Sequence, residues 1–171
     1  MSTVRVMTED DVAAVSEIRV TGWKAAYAGV VPQPYLDRMT VEADARRRRQ
    51  FFAKPDKVAL DLVAVDTLGS VVGWACLGPS RTTGGELYTL YVQPSLIGSG
   101  IGRTLLHAVH VNARARGFDS VLLWVFADNA RARRFYERAG YVADGAVQAD
   151  DYDGVSVTEV RYRIALERGT T

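Results

Sequence analysis

The sequence holds a single cysteine, Cys76, in 171 residues. A disulfide needs two, so no internal crosslink supports the chain, and a reducing setting, the cytoplasm, is expected. Lysine is nearly as scarce: Lys24, Lys54 and Lys57 are three of 21 basic residues. Those 21 face 20 acidic residues for a formal net charge of +1, so no field of one sign draws the chain to nucleic acid or to an anionic membrane. No apolar run approaches the ~20 residues of a membrane-spanning helix. The opening MSTVRVMTEDD carries acids where a secretory signal would be apolar. The two histidines, His107 and His110, have no partners at metal-ligand spacing, and no metal is expected. Repeats, low-complexity tracts and linkers are missing too, which leaves one domain over 1–171.

What is present alternates helix and strand signals. Val4 and Val6 mark a short strand, and Thr8 with Asp11 three residues later resembles a capping box at a helix start. The glycines and prolines of TGWKAAYAGVVPQPYLDRM predict a helix end, a loop and a short second helix. Thr40 caps a third, carrying Arg46 to Arg49, which spread around the cylinder as a solvated face. Val58 to Asp66 and Ser70 to Leu77 form a hairpin, and Glu86 to Val92 a further strand. A helix follows from Gly102 to Arg116. VLLWVF, Val121 to Phe126, has the continuous apolar character of a strand covered on both faces. A helix over Asn129 to Ala139 and strands at Tyr141 to Ala146 and Val155 to Leu166, joined by the polar loop QADDYDG, complete an α+β order. The apolar last strand is the expected pairing edge of a homodimer.

Between the Glu86–Val92 strand and the helix lies Ile97-Gly98-Ser99-Gly100-Ile101-Gly102-Arg103. Glycines let main chain approach a ligand at positive φ, and a helix start offers free N–H groups and the positive end of its dipole to phosphate oxygens. The dinucleotide fingerprint G-x-G-x-x-G needs glycine where Arg103 stands, and the nucleotide-hydrolase loop needs a lysine that is missing.

In its context, LYVQPSLIGSGIGRTLL resembles the pyrophosphate-binding motif of the GCN5-related N-acetyltransferases, the GNAT family: Gln/Arg-x-x-Gly-x-Gly/Ala after a strand and V-x-P. Ile97, Gly100 and Gly102 take the first, fourth and sixth positions, and Ile97 departs from the usual Gln or Arg. DNARARRFYERAGYV is similar to a second family segment, N-x-x-A-x-x-F-Y-E-x-x-G-F/Y. SEIRVTGWKAAYAGVVPQPYLDRM resembles the first helices of a family subgroup, with W-x-x-x-Y and P-x-x-Y-L spacing. Two motifs in order are far more specific than either alone.

The resemblance implies a GNAT fold: a mostly antiparallel, mixed sheet of about seven strands with helices on both faces. It implies acetyl transfer from acetyl-coenzyme A to an amine of a small molecule or peptide, with no metal. Ile97, Gly98, Ser99, Gly100, Ile101, Gly102 and Arg103 would hold the pyrophosphate. The main chain of Leu90, Tyr91 and Val92 would pair with the pantetheine arm where two strands splay at a bulge, and an N–H near Leu90 would face the thioester carbonyl. Asn129 would contact pantetheine and is equally suited to cap the next helix. Tyr136 would protonate the leaving thiolate, against the simpler reading of a core aromatic. Glu86 would take the proton of the incoming ammonium, against that of a solvated acid after a Gly-Gly turn. A non-catalytic acyl-coenzyme A binding module on the same fold is the alternative.

Outside these motifs, Trp23, Tyr27, Tyr35, Trp74 and Tyr88 suit a core better than an acceptor pocket. Cys76, inside a strand, is expected to be buried and inert.

Overall fold

The computed structural model describes residues 2–167. The single-domain expectation for 1–171 therefore extends past the described residues at both ends. Seven strands form one sheet: β1 (Thr3–Val6), β2 (Leu60–Val65), β3 (Val71–Pro79), β4 (Gly85–Val92), β5 (Ser120–Phe126), β6 (Val142–Tyr152) and β7 (Val155–Ala165). The helices are α1 (Val12–Ala26), α2 (Gln33–Arg38), α3 (Val41–Phe52), α4 (Ile101–Ala115) and α5 (Ala130–Arg138). The sheet order is β1-β2-β3-β4-β5-β7-β6, and β4–β5 is the one parallel pair among them.

Period-two alternation sorts the strands between two covers. Leu62, Ala64, Ala75, Leu77, Leu87, Leu123 and Tyr162 face α4 and α5 in the largest core cluster. Val63 and Trp74 face α1 and α3, and Phe126 and Val157 face Trp23 and Leu36 of α1 and α2. The unbroken apolar run of β5 follows from this double cover. Along α4, Ile101, Leu105, Leu106 and Val109 are buried on one stripe, each contributing about 1.5–3 kcal/mol. No helix among the described residues is long and apolar enough to cross a membrane.

The expected capping box exists. The Thr8 amide donates to Asp11 Oδ2 at 2.8 Å, and Arg5 donates to both Asp11 oxygens at 2.8 and 3.0 Å. The arginine contact holds the Asp11 carboxyl below its usual range. Arg48 leaves the expected solvated face of α3 and lies 4.5 Å over the Trp74 ring.

Two expectations are corrected. QADDYDG is not a loop: β6 runs through Gln148–Tyr152, and only Asp153 (φ 52) and Gly154 (φ 84) turn. An outer strand with exposed faces tolerates acids, so its polarity hid it. The last strand is also not a free edge. β7 pairs with β5 on one side and β6 on the other, so it cannot pair across a dimer, and the outer strand is β6.

Candidate active site

β4 and β5 stay together for two pairs only, Gly85–Val121 and Glu86–Leu122. On the other side of β4, Leu77 pairs with Leu87 and Cys76 with Thr89, leaving Tyr88 as an extra, bulged residue. The bulge bends β4, and its far half leaves β5, which stays with β7 along its whole length. A notch opens in mid-sheet.

Ladder alternation decides which main-chain groups face it. The Gln93 amide donates to the Val72 carbonyl at 2.9 Å. Counting back along an antiparallel pair, Tyr91 and Thr89 also turn their main chain toward β3, while Leu90 and Val92 turn theirs away, toward the notch. Of the three expected residues, Leu90 and Val92 thus bring donors and acceptors to the opening. Tyr91 brings its side chain to the α1 face: its ring stacks 5.8 Å from Trp74, and its hydroxyl accepts a hydrogen bond from Trp23 Nε1 at 2.8 Å. Thr89 adds a buried hydroxyl without a partner among the described residues.

The glycine loop closes the same end of β4. Gly98 and Gly100 stand at φ 91 and 94, and a Cβ on either would meet nothing within 4 Å. Glycine is thus required there by conformation, and the space above the loop is open. The amides of Ile97, Ser99 and Thr104 donate to the carbonyls of Pro94, Leu96 and Gly100. Those of Gly98, Gly100, Ile101, Gly102 and Arg103 have no main-chain acceptor among the described residues. Five free donors at a helix start suit a diphosphate. The Ile97 amide is not one of them, and the Ile97 side chain is 47% exposed.

Two glycines, Gly73 outside the motif and Gly102 within it, set this helix in place by close packing. A Cβ on Gly73 of β3 would lie 2.8 Å from Leu105 Cδ1, 3.1 Å from Ile101 Cγ2 and 3.2 Å from the Tyr91 carbonyl oxygen. A Cβ on Gly102 would lie 3.3 Å from the Phe135 ring. Gly73 therefore seats α4 on the sheet beside β4, and no motif in the sequence announced it.

Asn129 caps α5, its Oδ1 accepting from the Ala132 amide at 3.2 Å, and its side chain also bears on the buried Tyr27 hydroxyl. Tyr136, on α5, is buried against Phe135 and Tyr141 at ring distances of 5.2 and 5.7 Å. Burial pushes its hydroxyl well above the usual phenol range, so it stays protonated and keeps a proton to donate. Glu86 sits at the apex of the notch. Its neighbour Leu87 faces α4, so alternation puts Glu86 on the opposite face, half-buried. Burial raises its carboxyl above the ordinary value, with Arg81 and Arg161 pulling it back. Tyr136 and Glu86 thus lie on opposite faces of the sheet.

The other candidates fall elsewhere. Trp23, Tyr27 and Tyr35 join Phe126 and Tyr152 in an aromatic cluster, and Trp74 is fully buried. Tyr88 is exposed and bonds the Pro79 carbonyl. Cys76 is largely covered, and burial pushes its thiol far up. His110 contacts the Tyr141 hydroxyl at 2.7 Å, and burial lowers its pKa to about 4.

Residues 17–141 match the family described as Acetyltransferase (GNAT) family. The chain is 30% identical to the uncharacterized N-acetyltransferase YuaI of Bacillus subtilis over 75% of this chain and 74% of that one. It is 35% identical to the mycothiol acetyltransferase of Propionibacterium freudenreichii over 67% of this chain, but it spans only 37% of that longer protein. In structure it resembles the PaiA N-acetyltransferase of Thermoplasma acidophilum solved in complex with coenzyme A: TM-score 0.74 and 21% identity, over 96% of this chain and 99% of that one.

Proposed function

Because the chain belongs to the GNAT acetyltransferase family, we propose that it transfers the acetyl group of acetyl-coenzyme A directly to an amine of a small molecule or peptide. One observation carries the reading: five free amides at the start of α4 and the free main-chain edge of β4 open on the same notch.

The acetyl donor supplies a thioester carbon already activated for attack. The amides of Gly98 and Gly100 to Arg103 bind its diphosphate. Leu90 and Val92 hold the pantetheine arm as if it were an added strand, and the Leu90 N–H polarises the thioester carbonyl. Asn129 steadies the arm while its Oδ1 caps α5.

Three proton transfers are needed, two off the nitrogen and one onto the sulfur. An aliphatic ammonium near pKa 10.4 is about three units from losing its proton at neutral pH, a deficit of about 4 kcal/mol. Glu86, with its carboxyl raised by burial, takes that proton through water more readily than an ordinary carboxylate. Tyr136 gives its phenolic proton to the departing sulfur. As the adduct collapses to the amide, the nitrogen sheds its second proton to the Tyr136 phenolate, and Glu86 returns its own to solvent, so the products are an amide, free coenzyme A and one proton.

The test is thiol release from acetyl-coenzyme A with a panel of amines, beside calorimetric binding of coenzyme A. Amine-dependent release with stoichiometric amide supports the proposal. Binding without release for any amine makes the chain an acyl-coenzyme A binding module.

A further inference from the structure

The amine must approach the thioester from the face opposite α4 and α5, since those helices carry the proposed diphosphate cradle and Tyr136. On that face the mouth of the notch is roofed. Tyr27, just past α1, packs 4.6 Å from Phe126 of β5, and Tyr35 of α2 packs 5.1 Å from Tyr152 of β6, ring to ring. Trp23 lies 4.8 Å from Tyr27 and 6.0 Å from Tyr152, joining the two pairs.

A polar bridge finishes the roof. Arg38, the last residue of α2, donates through Nη2 to both oxygens of Asp153, at 2.6 and 2.7 Å. Asp153 stands at φ 52, in the left-handed region, at the tip of the β6–β7 hairpin. α2 and the hairpin are thus tied across the approach by one ion pair between partners 115 residues apart in sequence.

We propose that the Arg38–Asp153 bridge and the aromatic roof beneath it restrict the acceptor to small, slender primary amines and exclude the amines of polypeptides. This rests on the acetyl-transfer reading above. A peptide needs a groove for several residues on each side of its reacting nitrogen, and here that path is filled by rings and spanned by a side-chain bridge. The charge of the wall suits a small ammonium. Glu159 and Asp150 stand close enough to Tyr152 to help burial push its hydroxyl up to about 12, while Tyr35 and Tyr91 are its other titratable neighbours. Of the nearby cations, Arg38 is held by Asp153, and Arg161 is held by Asp144 at 2.6 Å. The bridge is exposed, with 60% of the Arg38 side chain in solvent, so salt and substitution can open it without touching the core.

The experiment compares kcat/KM for short primary amines with that for peptides bearing a free α-amine or a lysine. It uses wild type, Arg38→Ala, Asp153→Asn and the exchanged pair Arg38→Asp/Asp153→Arg. Wild type is expected to favour the small amines by about 100-fold, the scale of a steric pocket. Arg38→Ala and Asp153→Asn are expected to raise peptide kcat/KM about tenfold, which is about 1.4 kcal/mol, with small-amine turnover within about twofold. The exchanged pair is expected to restore discrimination, and about 1 M salt to mimic Arg38→Ala, since the Debye length falls to about 3 Å. Peptides turned over as well as small amines by wild type overturn the proposal. So does an unchanged preference in both single variants. Release of thiol with no amine at all removes the acetyl-transfer reading itself, an outcome distinct from a broad acceptor range.

Discussion

Glu86 of β4 stands opposite Leu122 of β5, and past this pair the two strands separate. The side chain offered as base and the point where the sheet opens are therefore one position in the chain.

Replacing Glu86 tests that coincidence. Burial raises the carboxyl, and a base works only when ionised, so kcat/KM should fall as pH drops through a value above the ordinary carboxylate range. Glu86→Gln should cost about 10²-fold in kcat and flatten this acidic limb. Stability should move the other way. A folded-state pKa above the unfolded one means that folding disfavours the ionised form, so wild type loses stability as pH rises from the unfolded value through the folded one. Glu86→Gln should melt higher than wild type at neutral pH and lose that advantage in acid. A pH–rate profile and two melting curves check both signs.

Tyr136→Phe removes a hydroxyl and keeps the ring that packs on Phe135 and Tyr141. Turnover should fall about 10²-fold with coenzyme A affinity unchanged. Unaltered kcat would return Tyr136 to the core.

Gly100→Val forces a branched residue to φ 94. The strain, about 1–3 kcal/mol, should be relieved by the loop giving up its shape. The dissociation constant for coenzyme A should rise about tenfold or more, read by calorimetry. A dissociation constant equal to wild type would sink the phosphate-cradle role.

Gly73→Ala acts from beneath. The added methyl meets Leu105 and Ile101 on α4 and the carbonyl of Tyr91 on β4. Overpacking costs about 1–3 kcal/mol of stability, and α4 should lift from the sheet. KM for acetyl-coenzyme A should rise more than KM for the amine. Leu105→Val in the same chain should recover part of the affinity, an effect that general destabilisation would not give.

Local chemistry made much of this legible in sequence. Gly98 and Gly100 declare a turn at positive φ into a helix start, because few other residues hold that conformation. VLLWVF declares a doubly covered strand. What escaped depends on partners remote in sequence. The orientation of Tyr91 is set by the bulge at Tyr88, which appears only when β4 is aligned with β3. The Ile97 amide turns back to Pro94, so the residue at the motif's first position gives the cradle no donor. Gly73 looks like any strand glycine until α4 is laid on it. Gln148 to Tyr152 looked like a loop because an outer strand answers to no core.

The parting of β4 from β5 also has a signature in time. Amides inside a ladder trade their protons with water slowly, because the sheet must open first, whereas those on an unpaired edge trade them quickly. Leu90 and Val92 should be the fast ones in the far half of β4, where the amides of Thr89 and Tyr91 lean on β3. A ligand that lies along the edge would slow those two specifically, so deuterium uptake at two alternate residues would trace the ligand's path through the sheet.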